Sequence, residues 1–154
     1  MKTLVVYESF FGNTEKVAQA IGKALDGGQV IKFSDVTPDA LKGVELLVVG
    51  SPTRAFQPTP GIKTVLKALP AGSLSGMRVA AFDTRMDVKE VNNAFLTFME
   101  SIFGYAAEPI AKALVKKGGT LALPAEGFFV KGSEGPLRDG ELERAAEWAK
   151  KLLN

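Results

Sequence analysis

The sequence of 154 residues predicts an α/β fold with a doubly wound, five-stranded parallel sheet in the strand order 2-1-3-4-5. Short apolar runs alternate with segments whose apolar residues recur at helical spacing, which is typical of parallel strands joined by helices. The runs at 3–7 and 45–50 are mostly apolar, as expected for strands that are covered on both faces. The length suits one domain, residues 1–154, whose core needs no disulfide.

The first half of the chain predicts three strands, each followed by a helix. Residues 3–7 are apolar and rich in β-branched side chains, which indicates a strand buried on both faces. After a break in the pattern, apolar residues recur at helical spacing from Thr14 until Gly27 ends that helix. The next predicted elements are a strand at 29–33, a brief helix that Thr37 caps and Gly43 stops, a strand at 45–50 and a helix at 62–69.

The second half continues the alternation. Residues 77–82 form the fourth predicted strand, and a loop follows at 83–87. The apolar spacing then predicts helices at 91–103 and 106–117, a last strand region at 120–130 and an amphipathic helix at 141–153.

The composition excludes several kinds of chemistry. The chain has no cysteine and no histidine, which excludes disulfides, cysteine-ligated zinc, iron–sulfur clusters and imidazole catalysis. We expect no metal site and no catalytic side chain. Its 19 basic and 17 acidic residues give a net charge of +2, which predicts no nucleic-acid partner. The apolar runs are too short for a membrane span or a signal peptide, so we expect a cytoplasmic protein without membrane contact.

A doubly wound sheet binds its ligands at the carboxyl ends of the strands where the winding reverses. The first loop at this edge, residues 9–14, leads from a strand into a helix, so it directs free backbone N–H groups and a positive helix end to one place. Ser9, Asn13 and Thr14 add side-chain donors, and the loop therefore predicts an anion site. The alternative is that Asn13 or Thr14 merely caps the helix and Gly12 makes the turn.

The two other loops at this edge predict the walls of a pocket. Residues 51–60 form a long connection with three prolines, in which Phe56 could lie against a flat ring or simply plug the edge of the sheet. The third loop, residues 83–87, offers hydrogen-bonding groups beside the same crevice, although an aspartate such as Asp83 is often only a turn or cap residue.

These loops, together with residues 126–131 and 134–137, resemble the flavodoxin family over nearly the whole chain, and the last segment is similar to small flavodoxin-like proteins. The resemblance implies FMN as the cofactor. It implies that the FMN phosphate is held by Ser9, Phe10, Gly12, Asn13 and Thr14. It places Pro52, Thr53, Arg54, Ala55 and Phe56 on one side of the isoalloxazine ring, and Asp83, Thr84, Arg85 and Met86 near the other side.

The sequence also departs from the usual flavodoxin pattern. Phe11 stands where a hydroxyl residue is usual, which removes one phosphate donor. Neither Trp148 nor a tyrosine falls in the second or third loop, so the usual aromatic cover of the ring is not expected. Residues 51–60 contain no glycine, although flavodoxins commonly flip a glycine peptide there when the flavin is reduced. The chain also lacks the strongly acidic character that is typical of the family.

The resemblance implies an FMN-binding electron-transfer protein whose redox partner, a protein or a nicotinamide cofactor, is undefined. Two alternatives remain open: an FMN-dependent NAD(P)H:quinone-type reductase, and a flavin-free domain that uses the same fold for binding or assembly. Residues 88–103 carry more apolar side chains than one helix face can bury. They are expected to form either a lid or a homodimer surface around Phe98 and Phe103.

Overall fold

The computed structural model describes residues 1–87, 94 and 104–154. Its sheet has the order β2-β1-β3-β4-β5, and the neighbouring strands are parallel. A sixth strand pairs with β4 beyond β5, so the fifth position of the predicted sheet is filled by two pieces. The predicted fold class is confirmed. The strands are β1 Thr3–Tyr7, β2 Gln29–Lys32, β3 Leu46–Pro52, β4 Arg78–Met86, β5 Thr120–Leu121 and β6 Glu126–Val130.

The described helices cover both faces of the sheet. Their bounds are α1 Asn13–Ala24, α2 Pro60–Ala68, α3 Ala107–Lys116 and α4 Glu141–Leu152, with short 3-10 turns at Phe33–Asp35 and Pro38–Leu41. Apolar residues of α1 and α4 pack in one core cluster, and those of α2 and α3 pack in the other. The predicted cap is confirmed, because the Thr37 hydroxyl accepts a hydrogen bond from the Ala40 N–H at 3.2 Å.

The alternation of side chains along β1 explains the two clusters. Leu4 and Val6 face α2 and α3, whereas Val5 and Tyr7 face α1 and α4. Both faces of the strand are buried, as its uninterrupted apolar sequence predicts. Each such side chain stabilises the fold by roughly 1.5–3 kcal/mol relative to an exposed one. Trp148 packs edge-on against Phe82 and Phe128 with ring centroids 6.4 and 6.0 Å away, so it belongs to the core.

Two strands are longer than their apolar runs predict. β4 continues through Asp83 to Met86, so the prediction of a loop at 83–87 is wrong for all but its last residue. The polar residues stay in the ladder because β3 reaches Pro52 on one side and β6 supplies partners for residues 82–86 on the other. The strand predicted at 29–33 ends one residue early, since Phe33 begins a 3-10 turn.

The structure bears on the prediction about membranes but does not describe the residues on which the homodimer prediction depends. Phe98 and Phe103, on which the homodimer hypothesis depends, lie outside the described residues. In the part of the chain that the structure describes, no helix is both long and apolar enough to cross a membrane.

Candidate functional site

A cavity of about 360 Å³ lies where β1, β3, β4 and β6 end, and this volume is typical of small-molecule sites. It is lined by Ser9, Phe10, Phe11, Asn13, Thr14, Pro52, Thr53, Arg54, Ala55, Phe56, Thr84, Arg85, Met86, Tyr105, Val130 and Ser133. All three predicted loops therefore meet in one cavity. Of the predicted site residues, Gly12 and Asp83 do not line it.

Helix α1 begins without a side-chain cap. Its N-cap residue is Gly12, in a left-handed conformation with φ 91°, and among the described residues no side-chain hydrogen bond caps the helix. The Gly12 N–H itself donates to Ser9 Oγ at 3.1 Å, which closes the turn. Asn13 and Thr14 lie inside the helix, so the alternative that one of them caps it is wrong, whereas Gly12 does make the turn. Uncapped N–H groups at a helix start are a suitable anion site.

Asn13 connects the first loop to the segment after β6. Its side-chain amide donates to the Glu134 carbonyl oxygen at 3.0 Å. Gly135 lies directly against that amide, because a Cβ at this position would collide with the Asn13 side chain. The contact brings Ser133 to the cavity. The sequence analysis did not predict Ser133 as a site residue, although the Glu-Gly-Pro turn at 134–136 indicates that the chain folds back there.

The second loop contains a tight two-residue turn at its tip. Arg54 and Gln57 exchange two backbone hydrogen bonds of 2.9 Å, while Ala55 and Phe56 adopt φ angles of 49° and 64°. Both angles are left-handed, and this conformation costs a non-glycine residue roughly 1–2 kcal/mol. The loop thus reaches positive φ without the glycine that such turns favour. Phe56 lines the cavity, and the Arg54 guanidinium lies 5.1 Å from the ring centroid of Phe10.

A buried carboxylate in β4 forms an ion pair with an arginine that lines the cavity. The Asp83 carboxylate is fully buried and accepts hydrogen bonds from Arg85 Nε at 2.6 Å, Arg85 Nη2 at 2.7 Å and the Ala107 N–H at 2.9 Å. Burial raises the pKa of Asp83, and these hydrogen bonds oppose the rise. Asp83 thus holds Arg85 against the start of α3 instead of touching the cavity. Gly127 leaves room for the guanidinium, since a Cβ there would collide with it.

Tyr105 completes this side of the cavity. The Arg85 guanidinium lies 3.8 Å from the centroid of its ring, a close cation–π contact. Tyr105 therefore lines the cavity although it lies in neither the second nor the third loop. Tyr105 comes far along the chain from the third loop, and only the return of the chain into α3 brings it back, so its position in the sequence gives no local signal.

Hydrogen bonds of three threonines connect the walls of the cavity with each other and with the first loop. The hydroxyls of Thr14 and Thr84 lie 2.7 Å apart and are buried. The Thr84 carbonyl accepts the Thr53 N–H at 2.9 Å, and the Thr53 hydroxyl accepts the Ala106 N–H at 3.2 Å. The resemblance placed Thr84 near the flavin ring, but its hydroxyl contacts the first loop.

Solved flavodoxin structures match the chain over nearly its whole length. A flavodoxin from the domain Archaea is 27% identical, with a TM-score of 0.73, and the match covers 99% of this chain and 96% of that one. Oxidised flavodoxin 1 from Bacillus cereus is 16% identical with a TM-score of 0.77, covering 99% and 97%. Oxidised flavodoxin 2 from the same organism is 20% identical with a TM-score of 0.77, covering 99% and 98%. The chain has the flavodoxin-family fold. No protein-family model and no curated protein sequence matches it.

The charge of the cavity in this flavodoxin fold favours an anionic ligand. Among the described residues that line it, none is acidic, and Arg54 and Arg85 are cationic. Arg85 is neutralised by Asp83, so exposed Arg54 is the cation that a ligand would meet at the rim. Among residues 1–87, 94 and 104–154, the structure has no group of three or more histidine, cysteine, aspartate or glutamate side chains that could hold a metal ion.

The residues present would suit a flavin, the class of cofactor that the flavodoxin neighbours imply. Neutral donors surround the uncapped start of α1, where a phosphate would be held: Ser9, Thr14 and Ser133 contribute hydroxyls. Two walls extend from this place, one made by the tip of the second loop and one by β4 with Tyr105. A flat ring system between them would contact mostly apolar and aromatic side chains, as small-molecule sites usually provide.

Proposed function

We propose that the protein binds FMN in this cavity and transfers electrons as a flavodoxin-type carrier. One observation supports the proposal most strongly: the uncapped N-terminus of α1 opens into the same cavity as two walls of a size and polarity that suit a flavin. Bound FMN would accept and release the electrons. No side chain of the protein needs to react, which agrees with the absence of cysteine and histidine.

The protein's own residues would bind and orient the cofactor. The first-turn N–H groups of α1 and the hydroxyls of Ser9 and Thr14 would hold the phosphate, mainly through neutral donors and the helix dipole. Asn13 would act indirectly, because its amide already holds the segment after β6 in place. Phe56 and Tyr105 would shield the two sides of the ring from water.

The direct test is the visible absorption spectrum of the purified protein, recorded before and after FMN is added and the excess removed. A retained flavin spectrum with a ratio of one flavin per chain is expected. A protein that stays colourless after addition of FMN would contradict the proposal and favour the flavin-free binding or assembly domain.

A second candidate is an FMN-dependent NAD(P)H:quinone-type reductase. Arg54 favours it, because an exposed cation at the rim of a cavity whose described lining residues include no acidic side chain suits the phosphates of a nicotinamide dinucleotide. Anaerobic mixing of the FMN-loaded protein with NADH or NADPH separates the two functions. A carrier should keep its oxidised flavin spectrum, whereas a reductase should lose it rapidly and regain it when a quinone is added.

A further inference from the structure

We propose that Thr84 is a positioning residue for the phosphate site: its hydroxyl directs that of Thr14 and so increases the preference for FMN over riboflavin, which lacks the phosphate. This inference rests on the proposed function. It assigns Thr84 to phosphate recognition, whereas the family resemblance placed it near the ring.

The evidence is a short contact between two buried hydroxyls from distant parts of the chain. Thr14 lies in the first turn of α1, Thr84 lies in β4, and their Oγ1 atoms are 2.7 Å apart. The residues are only 1% and 5% exposed, so water does not readily replace either partner. Both residues also line the cavity.

The donors and acceptors of this pair determine what a phosphate would do to it. Each hydroxyl has one proton and two lone pairs, so in the pair either threonine can be the donor. A phosphate at the start of α1 offers only acceptor oxygens. When Thr14 donates its proton to the phosphate, its oxygen can still accept, and Thr84 becomes the donor to Thr14. A hydroxyl that accepts one hydrogen bond is a stronger donor in the next.

The backbone holds Thr84 in place for this role. It is paired in the sheet with Pro52 on one side and Phe128 on the other, and its carbonyl accepts the Thr53 N–H. Its β-branched side chain has few rotamers. The donor is therefore organised before the ligand arrives, so little conformational entropy is lost when a phosphate binds.

The test is a set of binding titrations with FMN and riboflavin on wild type, Thr84→Val, Thr84→Ser, Thr14→Val and the double variant Thr14→Val/Thr84→Val. Thr84→Val should weaken FMN binding about 3- to 10-fold, the range for one neutral hydrogen bond, and leave riboflavin binding within about twofold. Thr84→Ser should restore FMN binding because it keeps the hydroxyl. In the Thr14→Val background, Thr84→Val should have no further effect.

A matched control comes from α2. The Thr64 hydroxyl donates to the Pro60 carbonyl at 2.9 Å outside the cavity, so Thr64→Val removes a hydroxyl without touching the site and should change neither affinity. Urea unfolding establishes that each variant is folded.

The outcomes separate the two proposals. Equal weakening of FMN and riboflavin by Thr84→Val, or effects of the two valine substitutions that simply add, would overturn the role of Thr84 while FMN binding stands. A wild-type protein that binds neither flavin would overturn the proposed function, and this inference with it.

Discussion

Removal of the Asp83 carboxylate should destabilise the protein strongly, because the group is fully buried and accepts three hydrogen bonds. Loss of one partner of a buried ion pair typically costs about 3–5 kcal/mol, since the other charge is left without compensation. Arg85 is 18% exposed, so water in the cavity can solvate part of the freed guanidinium. We therefore expect Asp83→Ala to lower the free energy of unfolding by about 3 kcal/mol, the low end of that range.

The assay is urea unfolding without added flavin at pH 7. With a slope of about 2 kcal/mol per molar urea, the expected loss lowers the midpoint by about 1.5 M. Asp39→Ala is the matched control, because Asp39 pairs with Lys42 at 3.0 Å while both side chains are at least 79% exposed. Such pairs contribute little, so its midpoint should move by less than about 0.3 M.

Replacement of both charges tests the cause of this loss. The double variant Asp83→Ala/Arg85→Met should regain much of the stability, because no unpaired charge then remains. A midpoint for Asp83→Ala within about 0.3 M of the wild type would refute the reasoning about burial.

Three further predictions concern the cofactor and pH. Thr14→Val should weaken FMN binding about tenfold to hundredfold in a fluorescence titration, since a hydrogen bond to a charged group contributes roughly 1.5–3 kcal/mol; unchanged affinity would remove the first loop from the site. Burial raises the pKa of Glu141, but hydrogen bonds from Arg144 and the Phe129 N–H outweigh it and hold the pKa below its usual value. Glu141 thus adds stability above its unfolded pKa of about 4.3 that is lost as pH falls through its lower folded pKa, so Glu141→Gln should lower the urea midpoint more at pH 7 than at pH 3; equal losses at both would contradict this. One-electron-reduced flavin should accumulate little in a stepwise reduction followed by absorbance, because a flip of the peptide between Ala55 and Phe56 would produce a type II′ turn, which favours glycine at the position of Ala55; a large accumulation would argue against it.

The sequence predicts β1 and β3 well because these strands are buried on both faces. Residues 4–7 and 46–50 are apolar without interruption and buried in the structure, a pattern that is typical of parallel strands between two helical layers. The extension of β4 through Asp83 escaped prediction for a related reason. Its polar residues are held by pairing with β3 and β6 and by Arg85, and neither pairing nor a salt bridge is visible in apolar periodicity.

The candidate site likewise has a part that the sequence predicts and a part that it does not. Loops that follow β1 and β3 directly were predicted, since the topology places every strand end at one edge. Ser133 and Tyr105 line the cavity only because later segments fold back to it, and that depends on tertiary contacts such as Asn13 with Glu134. The left-handed Ala55 and Phe56 could not be predicted from propensity, which favours glycine at such angles.

The segment that brings Ser133 to the cavity also protects the outer edge of the sheet. The Phe129 carbonyl accepts the Arg138 N–H at 2.9 Å, and the Lys131 N–H donates to the Pro136 carbonyl at 2.8 Å. The Phe129 N–H donates a hydrogen bond to the Glu141 carboxylate. Edge strands with free backbone groups recruit other chains and promote aggregation. The backbone groups of residues 129–131 that would pair with an approaching strand are therefore already hydrogen-bonded. The segment that contributes Ser133 to the cavity thus also protects this edge from association with another sheet.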